Sequence, residues 1–434
     1  MKKTLVRVLS FFIMFTVMSA IMFGLAACSK DGTKKAGTEG EPVTLNFWHP
    51  YVSTGDTRTV SFQKAVDDWN KSNPNAKVVT DALDGETLKS KLKTAIAANE
   101  APELFFSLGA GFLKPFVDAG KVLALDDYLK DGTLEKIELS CLTGCTFDGK
   151  IYALPADMMF ICFYCNTELF DKYGLKIPET HQELLEVIKA FREKGVTPMT
   201  VGVKDRWPAM LYQNIYAAQL MGVKGIMDCL EKRASFDTPE FVKSAALVRE
   251  LIDAGAIDQG DMGLSRDEVE ERFLRGEIPM YYNGSWVAGR IESGEYPVKG
   301  KIVAKKYPAI EGAKYPKNYQ GGVWDVFCVN ANLKNPDVAV SALKFIDYHY
   351  VKNLYEAGAG IPSWKLENPD ESKVNKLTKQ MMEFTKEGDN FIAWDVILVG
   401  EDAQNHLDLV QELFVGTITP ENFAKEMQKR LNEK

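Results

Sequence analysis

Segments with the two-residue period of a β-strand alternate along this chain with segments that have the period of an α-helix, and this alternation limits the fold. In the first cycle the apolar positions are Val43, Leu45 and Phe47 for the strand and Phe62, Val66 and Trp69 for the helix. A second strand over 76–80, a helix over 88–96 and a third strand over 103–107 follow. This order predicts an α/β fold with a parallel sheet covered on both faces.

Two helices in the middle of the chain begin with capping signals. Thr180 and Glu183 have the spacing of a capping box, and Thr238 precedes a proline at the first helical position. A strand predicted over 278–282 leads into a loop over 283–285. We expect this loop to lie at the end of a strand, where ligands of α/β proteins bind.

The first part of the chain has the pattern of an export signal, because three basic residues precede nineteen uncharged residues from Leu9 to Ala27. This run just reaches the length of a membrane span, so a retained anchor is the alternative. Leu25-Ala26-Ala27-Cys28 resembles the bacterial lipobox, which favours cleavage and acylation. We expect residues 1–27 to be a lipoprotein signal peptide, Cys28 to carry the lipid, and residues 28–41 to be a flexible tether.

The charge of the chain excludes one class of partner. The formal net charge is −8, and removal of residues 1–27 with their three basic side chains would make it −11. Such an acidic protein does not attract nucleic acid. The residues from 42 onward, in a chain that is 46% hydrophobic, suffice for two domains with sizeable cores.

Several stretches, in their order, resemble the family 1 extracellular solute-binding proteins of sugar ABC transporters, which have a maltose-binding-protein-like architecture. They include LNFWHPYVSTGDTRTVSFQKAVDDWNKSNPNAKV, APELFFSLGAGFLKPFVDAGKVLALDDYL, FDGKIYALPAD, FLRGEIPMYYNGSW and NYQGGVWDVFCVN. The resemblance covers nearly all of 43–434. The chain departs from it at Cys165 and His181, where the family often has Tyr and Trp.

The resemblance implies a two-lobed, periplasmic-binding-protein-like α/β fold (type II) with a hinge of crossing strands. Lobe one would comprise 42–154 plus 320–365, and lobe two 155–319 plus 366–434. It also implies a monomeric receptor, lipid-anchored on the extracytoplasmic face of the bacterial membrane, that delivers an oligosaccharide to the permease subunits of an ABC importer. The ligand would bind in the crevice between the lobes.

A sugar ring has an apolar face of C–H groups and a rim of hydroxyls, so its receptor needs flat aromatic surfaces with polar groups around them. The aromatic candidates follow predicted strands or stand in loops, and the resemblance adds the last of them: Trp48, Tyr51, Trp207, Trp286, Trp324 and Trp394. The polar candidates are Asp84, Asp157, Asn283, Ser285 and Asp325. Carboxylates suit sugars because one ionised group accepts from two neighbouring hydroxyls.

Each candidate has a structural alternative. An aromatic residue at a strand end can belong to the core, as we expect for Trp69 on the apolar stripe of the first helix. Trp364 could lie in the cleft or cover lobe one, so it is not included. The alternative for Asp84 is a turn or a helix cap.

The cysteines raise the alternative of a zinc or thiol-redox site, because Cys141-x3-Cys145 and Cys162-x2-Cys165 have short spacings. The resemblance makes the apolar run MMFICFYCN a crossing strand, in which residues three apart point to opposite faces, so Cys162 and Cys165 cannot share a metal. We expect buried free thiols, no metal and no cofactor. A disulfide between Cys141 and Cys145 is the alternative, and the sequence leaves the redox states of these four cysteines, Cys229 and Cys328 open.

A secreted glycoside hydrolase acting on the same sugars is the alternative from another class of protein. It needs two carboxylates roughly 5 to 10 Å apart, and 60 acidic residues do not exclude such a pair. The sequence has no HExxH, GxSxG or phosphate-binding glycine loop, and it has four histidines. We therefore expect a binding protein without catalytic residues.

Overall fold

The computed structural model describes residues 42–54, 56–384 and 386–432. The predicted signal peptide, the lipidation site Cys28 and the tether up to residue 41 lie outside these residues, and they stay predictions. Among the described helices, none combines the length and the apolar character that crossing a bilayer requires.

The described residues form two main sheets, one small hairpin and helices that cover the sheets. The strands are β1 Val43–His49, β2 Ala76–Ala82, β3 Leu104–Leu108, β4 Thr146–Phe147, β5 Lys150–Ile151, β6 Leu154–Pro155, β7 Met159–Asn166, β8 Met280–Gly284, β9 Ile302–Lys305, β10 Tyr319–Gly322, β11 Asp325–Val329 and β12 Asn390–Phe391. The helices are α1 Thr57–Ser72, α2 Gly85–Ala98, α3 Ala110–Asp118, α4 Thr167–Tyr173, α5 His181–Glu193, α6 Trp207–Leu230, α7 Pro239–Asp253, α8 Arg266–Leu274, α9 Val287–Glu292, α10 Pro336–Glu356, α11 Lys376–Phe384, α12 Trp394–Ile397, α13 Glu401–Val415 and α14 Pro420–Met427. These elements mix helix and strand as an α/β fold requires.

The first sheet has the strand order β2-β1-β3-β11-β6. β1 is parallel to both β2 and β3, as the alternation of strands and helices predicts. β11, a later strand outside that alternation, is antiparallel to β3 and to β6. The reason is that β11 enters from the other sheet and not through a helical crossover, which is the connection that makes neighbouring strands parallel.

The second sheet is built around β7, which is buried along its whole length. β7 pairs in antiparallel fashion with β8, β9 and β10, and β10 pairs in parallel with β12. β8 extends to Gly284, which lies opposite Ile161. Asn283 and Gly284 are therefore strand residues and not loop residues as predicted, because pairing with β7 continues the extended backbone past Tyr282.

Each sheet has its own hydrophobic core. The first core contains Phe47, Phe62 and Trp69, and the second contains the side chains of β7 and of helix α6. Three segments connect the two halves: 156–158 between β6 and β7, 323–324 between β10 and β11, and 357–375 between α10 and α11. Segment 156–158 contacts the start of β11 and the third segment, since the Ala156 amide donates to the Asp325 carbonyl and the Met158 amide donates to the Ile361 carbonyl.

The capping signals predict the helix starts correctly. Thr180 and Glu183 form a reciprocal capping box at the start of α5, and the Thr238 side chain accepts from the Phe241 amide at the start of α7. Trp69 is a core residue as expected. The six cysteines among the described residues are buried free thiols.

One buried histidine makes the second core sensitive to acid. The imidazole of His406 is fully buried and stacks on Trp394 with ring centroids 5.0 Å apart. Neither ring nitrogen has a hydrogen-bond partner among the described residues. Burial lowers the pKa of His406 from 6.5 to about 3, because a charged imidazolium would lose its hydration there.

The lowered pKa predicts a loss of stability in acid. The unfolded chain binds a proton below about pH 6.5 and the folded chain does not, so the contribution of His406 is complete above that pH and is lost as the pH falls toward 3. His406→Phe keeps a ring against Trp394 and removes the ionisable group. Between pH 6.5 and 4 the wild type should lose up to about 1.4 kcal/mol per pH unit relative to this variant in urea unfolding. If the free energy of unfolding changed with pH in the same way in the two proteins, a lowered pKa of His406 would be contradicted.

Candidate functional site

The candidate site is a cavity of about 140 Å³ between the two sheets. A single water molecule needs roughly 10–15 Å³ of such space, so the cavity can hold a larger molecule. From the first half it is lined by Arg58, Lys89, Leu108 and Asp325. From the second half and the connection between them it is lined by Met159, Trp207, Met210, Leu211, Arg266, Trp286, Trp324, Ala393, Asp395 and Val396. Both halves of the molecule therefore form its wall.

Three indole rings dominate one side of the cavity. Trp286 lies in the middle, with ring centroids 6.0 Å from Trp207 and 6.0 Å from Trp324, in edge-to-face geometry in both cases. Trp207 is the first residue of α6, Trp286 precedes α9, and Trp324 lies between β10 and β11. The indole Nε1 of Trp324 is buried without a hydrogen-bond partner among the described residues, so it is a donor available to a bound molecule.

The backbone of Gly284 determines where the Trp286 ring lies. A Cβ atom at this position would overlap the six-membered ring of Trp286. β8 can therefore pass directly against the indole only because residue 284 has no side chain. The ring is 8% exposed and forms part of the cavity wall.

Arg58 places a positive charge beside Trp286. Its guanidinium carbon is 5.8 Å from the centroid of Trp286, and its Nη2 is 3.0 Å from Oδ2 of Asp56. Burial opposes the charge on Arg58, but the Asp56 carboxylate outweighs it and raises the pKa of Arg58 well above the usual value. The hydrogen bonds of the Arg58 side chain to Asp56 involve Nε and Nη2.

Asp325 provides an acceptor on the cavity wall, and Asp157 lies behind it. Burial raises the pKa of Asp325, and Arg58 and Lys89 oppose this effect. Burial and the neighbouring Asp325 also raise the pKa of Asp157, whose Oδ1 has no hydrogen-bond partner among the described residues. The two carboxyl groups therefore resist carrying two negative charges at the same time.

The cavity combines three edge-to-face indoles with a guanidinium and a carboxyl group. Comparison with known proteins shows what kind of chain this is. The family described as bacterial extracellular solute-binding protein matches residues 55–350. This chain belongs to that family. Membership of an extracellular family indicates an extracytoplasmic location.

Relatives of this solute-binding protein support the same assignment. A solved structure from work on xylan utilization by the thermophilic bacterium Caldanaerobius polysaccharolyticus is 41% identical, with a TM-score of 0.87 over 90% of this chain and 100% of that chain. A chitin oligosaccharide binding protein is 26% identical, with a TM-score of 0.82 over 91% of this chain and 99% of that chain. The multiple sugar-binding protein of Streptococcus mutans is 22% identical over 75% of this chain and 85% of its own length. The fold is accordingly the two-lobed periplasmic-binding-protein-like α/β fold.

The structure brings four of the predicted site residues to the cavity: Trp207, Trp286, Trp324 and Asp325. Two more lie directly behind the wall. Asp157 is 2% exposed, and Tyr51 packs in the first core with the Arg58 guanidinium carbon 5.8 Å from its ring centroid. Neither of these two residues is among those that line the cavity.

Two predicted residues lie elsewhere on the surface. Asp84 is exposed and caps α2, where its Oδ1 accepts from the Thr87 amide at 3.1 Å. Trp48 is half-buried beside α2, with Lys91 Nζ 3.9 Å from the centroid of its ring, and it lines a different surface pocket. The structure therefore does not place either residue in the cavity.

Asn283 and Ser285 are buried and make hydrogen bonds within the protein. The Oδ1 of Asn283 accepts from the Gly284 amide at 2.8 Å, and its amide nitrogen donates to the Tyr281 hydroxyl. The Ser285 hydroxyl accepts from the Phe160 amide at 3.3 Å. The Asn283 hydrogen bonds stay within β8, and the Ser285 hydrogen bond joins the end of β8 to β7 next to Trp286.

Trp394 is a correction to the sequence prediction. Its side chain is fully buried and stacks on Phe241, with ring centroids 6.0 Å apart and an interplanar angle of 11°. The residues next to it, Ala393 and Asp395, line the cavity. The predicted segment is at the cavity, but the backbone directs the indole into the second core.

Four charged or polar residues of the wall were missed: Arg58, Lys89, Arg266 and Asp395. The composition does not distinguish these side chains among the 52 basic and 60 acidic residues of the chain. The one available signal was position, because Arg58 begins the helix after the first strand and Asp395 follows a candidate tryptophan. Within the described residues, no group of three or more His, Cys, Asp or Glu side chains could hold a metal ion.

The contact between Gly284 and Trp286 can be tested by adding a methyl group. Gly284→Ala should displace the indole and reduce the free energy of unfolding by about 1–3 kcal/mol, since overpacking forces neighbouring groups to shift. Urea unfolding measures the loss, and tryptophan fluorescence of the folded protein should change with it. Gly85→Ala is the matched control, because a Cβ at Gly85 meets no atom within 4 Å. Equal stability of the two variants would show that the ring does not depend on Gly284.

Proposed function

We propose that this chain is the lipid-anchored receptor of an ABC importer, that it binds an oligosaccharide between its two lobes, and that it delivers the sugar to the permease subunits in the membrane. The observation that carries the proposal is the cavity in which Trp207, Trp286 and Trp324 lie beside Arg58 and Asp325. The names of the relatives agree with this substrate class, since they include a chitin oligosaccharide binding protein and a multiple sugar-binding protein.

The chemistry of the wall matches both surfaces of a sugar ring. The indoles supply flat apolar area for the C–H face of a pyranose. Asp325 can accept from ring hydroxyls, and the guanidinium nitrogens of Arg58 and Arg266 can donate to them. Hydrogen bonds to charged groups contribute about 1.5–3 kcal/mol each, so a few of them suffice for selective binding.

The position of the cavity supports a mechanism of closure around the ligand. Arg58, Lys89 and Asp325 belong to the half built on the first sheet, whereas Trp207 and Arg266 belong to the other half. A ligand that touches both halves favours the state in which the halves are together, because only that state offers all of its contacts. Rotation about segments 156–158, 323–324 and 357–375 would open the cavity.

The proposed anchor explains the start of the sequence. Lipid on Cys28 would hold the receptor at the outer face of the membrane, where the permease is, and residues 28–41 would give it freedom to move. We propose that the anchored receptor is a monomer. The proposal assigns no catalytic residue, because the family consists of binding proteins.

Thermal unfolding with a panel of glycans tests the substrate class. A sugar that binds only the folded state must raise the melting temperature. The panel should contain xylo-, chito-, malto- and gluco-oligosaccharides, and chromatography after incubation should find every one of them intact. Cleavage of a sugar would favour the glycoside hydrolase instead, and the absence of any shift would contradict an oligosaccharide receptor.

Removal of an indole from the cavity should weaken binding. Trp286→Ala and Trp324→Ala should each reduce the affinity for the sugar found in the panel at least tenfold, or about 1.4 kcal/mol, as measured by isothermal titration calorimetry. Trp286→Phe should retain part of the affinity, because it keeps an aromatic face without the full indole. Trp48→Ala is the matched control, since Trp48 lies outside the cavity. Unchanged affinity in both cavity variants would rule out the indoles as the sugar-binding surface.

A further inference from the structure

Two glycines lie where the halves of the molecule touch each other directly. Gly111 lies in α3, whose Phe116 belongs to the first core. Gly289 lies in α9, whose Ile291 belongs to the second core. Each glycine faces an element outside its own half, so each marks a place where protein meets protein when the halves are together.

Gly111 contacts the backbone at the end of α12, and we call this the α3–α12 contact. A Cβ atom on Gly111 would overlap the carbonyl group of Ile397 and lie 2.9 Å from the carbonyl oxygen of Leu398. α12 belongs to the second core through Trp394 and Val396. A backbone carbonyl cannot turn aside as the end of a flexible side chain can, so only a residue without a side chain fits here.

Gly289 contacts the start of α1, and we call this the α1–α9 contact. A Cβ atom on Gly289 would overlap the Thr57 side chain and lie 2.8 Å from the Cβ of Ala359. Thr57 is the first residue of α1, which packs in the first core, and Ala359 lies in the connection 357–375. α9 therefore meets the first half with no room for one methyl group.

Both contacts adjoin the indole cavity. Next to the α1–α9 contact, the cavity is lined by Arg58, which follows Thr57, and by Trp286, which directly precedes α9. Next to the α3–α12 contact, it is lined by Leu108, which comes two residues before α3, and by Val396 of α12. How closely the halves meet at these two places therefore determines how completely the wall surrounds a bound molecule.

We propose that Gly111 and Gly289 are positioning residues for ligand binding, because they set how far the two halves can close. This role rests on the proposed function and adds a determinant of affinity outside the cavity wall, since neither glycine lines the cavity. A methyl group at either position would stop the halves before the wall is complete. The ligand would keep its contacts with one half and lose part of those with the other.

The location of these glycines between the halves separates the affinity of the receptor from its stability. A clash within one half is present in every folded state, so it lowers the free energy of unfolding, as expected for Gly284→Ala. A clash between the halves is relieved when the cleft opens, so it opposes only the closed state. Alanine also has a higher helix propensity than glycine, so both variants should keep or gain stability without ligand.

Calorimetric titration and urea unfolding of the full chain together test this role. The probe is the sugar that binds the wild type most tightly among xylotriose, the N-acetylglucosamine trimer, maltotriose and cellotriose. Gly111→Ala and Gly289→Ala should each bind it at least tenfold more weakly, while the ligand-free variants unfold at the wild-type urea concentration or above. In small-angle X-ray scattering, the sugar should reduce the radius of gyration less in these variants than in the wild type.

Matched controls and a rescue variant show whether the effect arises between the halves. Gly85→Ala and Gly263→Ala should bind the probe like the wild type, because a Cβ at either position meets no atom within 4 Å. Thr57→Ala, added to Gly289→Ala, should restore part of the lost affinity, since it removes the hydroxyl that overlaps the new methyl group. Such a rescue couples α9 to α1 across the two halves.

Two results would overturn the role of the glycines and leave the proposed function intact. One is wild-type affinity in both Gly111→Ala and Gly289→Ala. The other is a loss of stability in the ligand-free variants alongside the loss of affinity, because that would place the clash within one half. Binding of no probe to the wild type would overturn the proposed function and this role with it.

Discussion

The position of one indole ring is the constraint on which the candidate site depends. Trp286 lies against the bare backbone of Gly284 and contacts Trp207 and Trp324 on either side. Its ring also approaches Arg58, which belongs to the other half of the molecule. The strand that carries Gly284 is held by β7, so the packing of the second sheet decides where the aromatic surface lies. The position of the cavity therefore depends on how β8 pairs with β7.

Buried charge is the second constraint, and the structure meets it by pairing. The Asp56 carboxylate balances the charge of Arg58. Arg58 in turn opposes the rise in pKa that burial causes in the carboxyl groups of Asp325 and Asp157. An uncompensated charge at these depths would cost several kcal/mol. A ligand that fills the cavity displaces water from these groups, and hydrogen bonds are electrostatically stronger in such a low-dielectric environment.

The cavity surrounds its apolar indoles with charged side chains, since Arg58, Lys89, Arg266, Asp325 and Asp395 line it as well. Its walls come from the two halves of the molecule, so ligand affinity and closure are linked.

Sequence period and capping alone determined the α/β class, the starts of α5 and α7, and the core position of Trp69. These features are local, because period and caps act within a few residues. Family resemblance supplied the two lobes. Only tertiary structure decided that Trp394 turns into the core while Asp395 faces the cavity, that Asp84 is a helix cap, and that Arg58 reaches Trp286. The direction of a side chain at the edge of an element depends on which distant surface packs against it, and no local pattern encodes that surface.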